Sequence, residues 1–427
     1  MRKGRITDAD CLSLKIGKLI TETRASQLSN VNHKDIKRLW SSVRSTSSSA
    51  PKKSLVTSTP FSADDLAGYF TDVATDTAYD PSYITDTINL LSHKIASASH
   101  HHTSPPPAVY EYEVFKCLSR VKKTSPGPDK IPYWLFKHCA LELTPIITHI
   151  INLSLNKGKP PQLWKKAIIT PVPKVPNPKE LSDFRPISVT PLLSRIVERL
   201  IVNKYILPTL PVEQLADQFA YRPTCSTTAA LVALDHHVAQ YLESVSYVRC
   251  LMIDYSKAFD TISHPILFRK LLSLNLLPNI TSWICQFLTC RTHSVIFGGV
   301  LSDWKPITAS IVQGSGIGPC LFIVYTMDLK PHSSFNTILK YADDTTLLVP
   351  QNSPTTLEAE FSHILDWSNE NKLTVNTLKT KEIVFHRPRL PKKSLPLCFP
   401  TLNEQIVPEF LVSIFLPHYP PRNTSIA

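Results

Sequence analysis

Apolar residues fall at helical spacing in two stretches of the chain. From Pro191 to Ile206, Leu192, Leu193, Ile196, Val197, Leu200 and Ile201 share one face, while Arg195, Glu198, Arg199 and Asn203 share the other. That pattern predicts an amphipathic helix with its polar face outward. Residues 63–97 carry Leu66, Tyr69, Phe70, Ile84, Ile88 and Leu91 at similar spacing and also read as helical. Two other segments have strand character. Cys250-Leu251-Met252-Ile253 is a short apolar run that stops at Asp254. Ile338 to Val349 reads as strand, tight turn and strand, with Asp343 and Asp344 at the turn.

Between these elements the pattern breaks twice. Ser45 to Ser58 offers little that could build a core, and His100-His101-His102 runs towards Pro105-Pro106-Pro107. Both read as linkers. Residues 1–107 are therefore expected to be a partly disordered N-terminal linker that contains the helical segment 63–97. Dense patterning with little glycine continues from about Val109 to about Arg387, without internal repeats.

Composition narrows the class. The chain has 427 residues, 43% of them hydrophobic, enough for a sizeable core. With 10 Gly against 36 Pro, many short elements joined by Pro-marked turns fit better than one long bundle. A formal charge of +12 suits a polyanionic partner, or equally a solvated basic surface. Nine cysteines without a C-x-x-C pair suit reduced thiols. No apolar run is long enough to cross a bilayer, and residues 1–3 lead into polar sequence rather than a signal peptide. The expectation is an intracellular protein without a membrane partner, the nucleus and cytoplasm being equally open.

The chemistry lies in the aspartates. Two like charges on a hairpin turn beside a core are unfavourable unless cations neutralise them. If the strand ending at Asp254 neighbours that hairpin, three carboxylates meet at one sheet edge. Hard divalent cations are the natural partners of such oxygen ligands. Taken alone, each motif favours an ordinary reading, since Asp-Asp is a common turn and an Asp after a strand a common cap.

The flanking residues change that balance. Tyr341-Ala342-Asp343-Asp344 is similar to the signature box of reverse transcriptases. Leu251 to His264, with Asp254, Tyr255, Phe259 and Asp260, resembles the first catalytic box of non-LTR, LINE-like and jockey-type retrotransposon enzymes. Ile311 to Phe322, with Gln313, Gly314, Gly316 and Gly318, resembles their second box. The resemblance extends over about residues 120–387. It takes in Ser125 to Asp129, Trp164 to Lys174, Phe184 to Ser188, Gln218 to Arg222 with Ser226-Thr227, and Asn376 to Lys381.

What the resemblance implies is an RNA-directed DNA polymerase working on an RNA template, a DNA primer and deoxynucleoside triphosphates. The implied fold is α+β, a right hand with fingers at 108–250 and a palm at 251–390. The palm is expected to be an antiparallel sheet with helices on one face. Asp254, Asp343 and Asp344 are implied to hold two Mg²⁺ ions, with Mn²⁺ as an alternative and the Tyr255 carbonyl as a further ligand. Lys174 and Arg185 are implied to grip the triphosphate. Phe259 is implied to pack under the sugar, with Gln313 and Gly314 against nucleotide and template. Lys379 is the candidate proton donor to pyrophosphate, and a plain surface lysine fits that position nearly as well. His264 reads as structural, opening a helix that runs from Pro265.

The sequence also departs from the family. Pro408-Glu409-Phe410-Leu411 starts like the primer-gripping hairpin, but Val412 stands where glycine is expected. Residues 391–427 read as a degenerate tail, the thumb being missing or degenerate in a truncated copy. Ala220 and Val312 are smaller departures. A rival reading is a catalytically inactive or domesticated nucleic-acid-binding remnant.

Overall fold

The computed structural model describes residues 60–101, 106–222 and 225–387, together with Pro396. The linker at 45–58 and nearly all of the tail at 391–427 lie outside the described residues. The described residues of Phe61–Lys174 and those from Glu180 onward form one compact unit.

The segment read as helical from 63 to 97 holds two helices, α1 (Ala63–Val73) and α2 (Pro81–His101). Ser62 caps α1 through a capping box with Asp65, which satisfies two of the orphan N–H groups of its first turn. Then come α3 (Glu111–Ser119), α4 (Tyr133–His138) and α5 (Ala140–Asn156), followed by the hairpin of β1 (Lys166–Pro173) and β2 (Phe184–Val189). Helix α6 (Leu192–Ile201) starts after Pro191 and passes into a π-turn over Val202–Ile206. Helix α7 (Thr227–Ser244) leads into β3 (Tyr247–Ile253), and α8 (His264–Leu272) and α9 (Pro278–Leu288) follow. The remaining elements are β4 (Arg291–Phe297), β5 (Val300–Leu301), β6 (Lys305–Ile307), α10 (Gly318–Thr326), β7 (Thr337–Tyr341), β8 (Asp344–Pro350), α11 (Leu357–Glu370) and β9 (Lys381–His386).

These strands make two sheets. The first runs β2-β1-β4-β5 with β6 also on β4, and β1 pairs β4 in parallel. It joins strands from both sides of residue 250, the boundary expected between fingers and palm. The second sheet is antiparallel throughout, in the order β7-β8-β3-β9.

The alternation along the second sheet sends side chains into two cores. Leu251, Ile253, Ile338, Leu347 and Val349 join the main core with α8, α9 and α10. Val248, Cys250, Leu339 and Leu348 point the opposite way, onto Val238 and Leu242 of α7. This corrects the expectation of helices on one face: the sheet is covered on both. Only Met252, towards the end of β3, breaks the pattern by standing half-exposed among these buried positions.

Helix α1 belongs to the folded unit rather than to a linker. Its Leu66, Ala67 and Phe70 pack on Ile169, Phe184 and Val295 of the first sheet. The Ala74 carbonyl accepts hydrogen bonds from Thr308 and Ala309 N–H at 3.1 and 2.9 Å. Asp76 pairs with Lys372 at 2.9 Å and accepts a hydrogen bond from the Ser263 hydroxyl.

Candidate active site

The register of the antiparallel sheet determines where the acids go. Ile253 pairs with Thr345, so Asp254, the next residue, comes level with Asp344 at the sheet edge. Tyr341 pairs with Asp344 across the β7–β8 hairpin, leaving Ala342 and Asp343 as a two-residue turn, with Ala342 at φ 57°. Asp344 thus opens β8 and only Asp343 lies in the turn. Burial pushes the Asp343 carboxyl up, and the charges of Asp344 and Asp254 push it the same way. Asp344 is raised by burial and by Asp254. The three acids therefore share one electrostatic neighbourhood.

Two segments hold this edge in place. The Asp254 N–H donates to Thr380 Oγ1 at 3.4 Å, and its carbonyl accepts from Asn376 N–H at 2.7 Å. Tyr255 bridges Val375, but the hydrogen bonds of that bridge come from the flanking residues, so the Tyr255 carbonyl takes no part in it. The Tyr255 side chain lies in the main core. On the hairpin side, buried Gln218 accepts from Ala342 N–H at 3.1 Å and Ala220 N–H at 2.9 Å through one oxygen. Lys340, one residue before Tyr341, is buried as well. Its Nζ donates to the carbonyls of Thr326 and Leu329 at 2.9 and 3.0 Å, and burial brings its pKa down to about 8.

The acids open onto a cleft of about 600 Å³. Of the residues named from sequence, Asp254, Tyr255, Asp343, Lys174, Arg185, Phe259, Gln313, Gly314 and Lys379 all line it, whereas Asp344 does not. Lys174 and Arg185 stand at the loop end of the β1–β2 hairpin, where Pro173 pairs with Phe184. Burial lowers the Lys174 pKa, and the positive charges of Arg185, Lys257 and Lys379 lower it further. Lys379 Nζ lies 3.8 Å from Asp254 Oδ2. Phe259 stacks on Phe322 with ring centroids 4.4 Å apart, so its ring is fixed from below.

Gly314 is required by space as well as by backbone. It has φ +105°, and a Cβ there would meet the Ser188 carbonyl at 2.5 Å. The Gln313 carbonyl accepts from Ser188 N–H, and its amide donates to Asp260 Oδ1 at 2.8 Å. Burial raises the Asp260 carboxyl to about 6, against the opposing pull of Gln313, Lys257 and Lys174.

Periodicity misplaced one residue. Glu198, read as part of an outward polar face, is fully buried. It accepts from the Ser194 hydroxyl at 2.7 Å and from the N–H groups of Gly316 and Ile317 at 2.6 and 3.2 Å. It therefore anchors the glycine-containing loop that carries Gln313 and Gly314. His264 is buried too, bonded to the Ser310 carbonyl at 2.9 Å and held near pKa 4 by burial, and it opens α8.

Carboxylates brought together by the sheet register, against burial and mutual repulsion, fit a hard divalent cation. The side chains do not form a closed cage, however. Among the described residues no group of three or more His, Cys, Asp or Glu is gathered to hold a metal ion. Backbone register alone brings the acids to one edge. Among the described residues no helix is long and apolar enough to cross a membrane.

The chain is similar in sequence to known proteins. The chain is 28% identical over 295 residues to the "RNA-directed DNA polymerase from mobile element jockey" of Drosophila melanogaster, covering 66% of this chain and 32% of that protein. It is 29% identical over 290 residues to the "Probable RNA-directed DNA polymerase from transposon BS" of the same species, covering 64% and 32%. The chain thus spans about a third of the length of these relatives. A solved structure of apo telomerase from Candida tropicalis, truncated from its C-terminal domain, overlaps 53% of this chain and 51% of its own at 16% identity. The TM-score of that overlap is 0.39. Residues 172–401, more than half of the chain, match the family described as "Reverse transcriptase (RNA-dependent DNA polymerase)". With that match spanning β3, the β7–β8 hairpin and the loop that carries Gln313 and Gly314, the chain belongs to the reverse transcriptase family.

Proposed function

We propose that the chain is an RNA-directed DNA polymerase, part of a retrotransposon, which adds deoxynucleotides to a primer 3′-hydroxyl under the direction of an RNA template. The observation that carries this reading is the sheet register that sets Asp254 level with Asp344 and beside the Ala342–Asp343 turn, at the edge of a cleft lined with cations. Residues 108–250 serve as fingers and 251–390 as palm.

Asp254 and Asp343 are the direct ligands of two Mg²⁺ ions, or Mn²⁺ in their place, with the Tyr255 carbonyl as a further oxygen. Asp344, off the cleft, supports the field rather than the substrate. Bound there, divalent ions lower the pKa of an attacking hydroxyl and steady a leaving pyrophosphate. Lys174 and Arg185 orient the triphosphate for in-line attack, Arg185 through its planar fork. The Phe259 ring, backed by Phe322, fills the space beside the sugar C2′ and excludes a hydroxyl there. Gln313 and Gly314 present backbone to the nucleotide, and Lys379 delivers a proton to the pyrophosphate.

Primer extension on an RNA template with Mg²⁺ tests the proposal. Wild-type chain incorporates deoxynucleotides, and Asp343→Asn lowers the rate by at least ~10²-fold. Nucleic-acid binding without any incorporation by the wild type would instead support a remnant that keeps only the basic groove.

A further inference from the structure

We infer that Lys257 is a further phosphate-gripping cation of this cleft and that Tyr69, from α1, holds it there. The inference rests on the polymerase reading and names a residue pair that reading does not need. Tyr69, Phe70 and Val73 of α1 line the same cleft as Asp254, Lys174 and Arg185. The helix cannot easily swing away, because Phe70 is packed on the sheet that carries Lys174 and Arg185. The Thr71 hydroxyl is also bonded to His293 Nε2 at 2.9 Å.

Lys257 lies in the segment between Asp254 and Phe259. Its backbone has φ +52°, a strained conformation for a side-chain-bearing residue. Its carbonyl accepts from Asp260 and Thr261 N–H at 2.8 and 3.2 Å, which keeps that backbone fixed. The ammonium then lies over the Tyr69 ring, 4.7 Å from the centroid. A cation–π contact of this kind is enough to bias a flexible side chain towards one position. Among the described residues Lys257 forms no ion pair.

The ammonium is also electrically part of the site. Its charge acts on Lys174 in the same direction as Arg185 and Lys379, and it acts on Asp260. Lys174, Arg185, Lys257 and Lys379 thus surround one cleft, and the ligand that neutralises four converging cations is a polyphosphate. The shared chemistry is phosphate, which either a nucleoside triphosphate or a nucleic-acid backbone could supply. The position beside Asp254 and Phe259 favours the triphosphate.

Calorimetric binding of inorganic tripolyphosphate, and separately of a single-stranded oligonucleotide, to the full chain distinguishes these. Lys257→Ala weakens tripolyphosphate binding about tenfold and leaves the oligonucleotide little changed. Lys257→Arg restores the affinity. Tyr69→Ala weakens it severalfold, and Tyr69→Phe, which keeps the ring, does not. Unchanged tripolyphosphate affinity in Lys257→Ala overturns the inference, as does a loss confined to the oligonucleotide or one that arginine fails to recover. Because this readout needs no incorporation, failure of the polymerase reading in primer extension leaves it separately decidable.

Discussion

Glu198 and Asp260 are both acids drawn into the site from positions where sequence pattern alone assigned no such role. Glu198 accepts the N–H groups of Gly316 and Ile317. Replacing it by alanine leaves two N–H groups without a partner, at about 1–3 kcal/mol for each that stays buried. Glu198→Ala is expected to lower the denaturation midpoint accordingly, while Glu198→Gln, which keeps an acceptor, loses less. Helical periodicity could not find this, because it counts polarity and cannot see a buried partner 118 residues away. Asp260 makes a pH prediction. Its carboxyl is raised to about 6, so the folded chain holds this proton more tightly than the unfolded chain does. Stability from this group is therefore present at low pH and falls as pH climbs from about 4 to 6, by up to about 3 kcal/mol. His264, lowered to about 4, acts in the opposite direction over an overlapping range. The comparison is accordingly wild type against Asp260→Asn in urea melts across pH, where the variant should lack the fall due to this group. Identical pH slopes would contradict it.

Among the elements, the β7–β8 hairpin was the most legible. Its alternating apolar residues and central acids announce strand, turn and strand, and the changes are that Asp344 begins β8 and that each outer end is one residue longer. The strand before Asp254 was equally readable from four apolar residues, although it extends from Tyr247. The support of these elements was not legible, since it comes from partners far away in sequence. Gln218 holds the turn by accepting from Ala342 N–H, a contact across 124 residues. The Asn376–Thr380 segment holds the backbone of Asp254 from the other side. Gln218→Leu keeps the volume and removes the acceptor. It is expected to lower the primer-extension kcat about tenfold or more with little change in nucleotide KM, since the turn carries a proposed metal ligand rather than a proposed triphosphate contact. A change confined to KM would argue against this role.

At the scale of the whole molecule, the order of the catalytic boxes was legible in the sequence, but not how the sheets join them. Parallel pairing of β1 with β4 ties the strands leading to Lys174 and Arg185 to the segment after α9, and no local pattern encodes such a pairing. Helix α7 covers the second face of the acid-bearing sheet, where a one-faced sheet was expected. Helix α1 walls the cleft, although residues up to 107 were read as a partly disordered linker. The account as a whole depends on Asp254 and Asp343 sharing divalent ions. Titrating Mn²⁺ into the full chain, with free ion followed by electron paramagnetic resonance, tests this most directly. The account predicts saturable binding by the wild type that weakens at least about tenfold in both Asp254→Asn and Asp343→Asn. Wild type and the two variants titrating alike would contradict it.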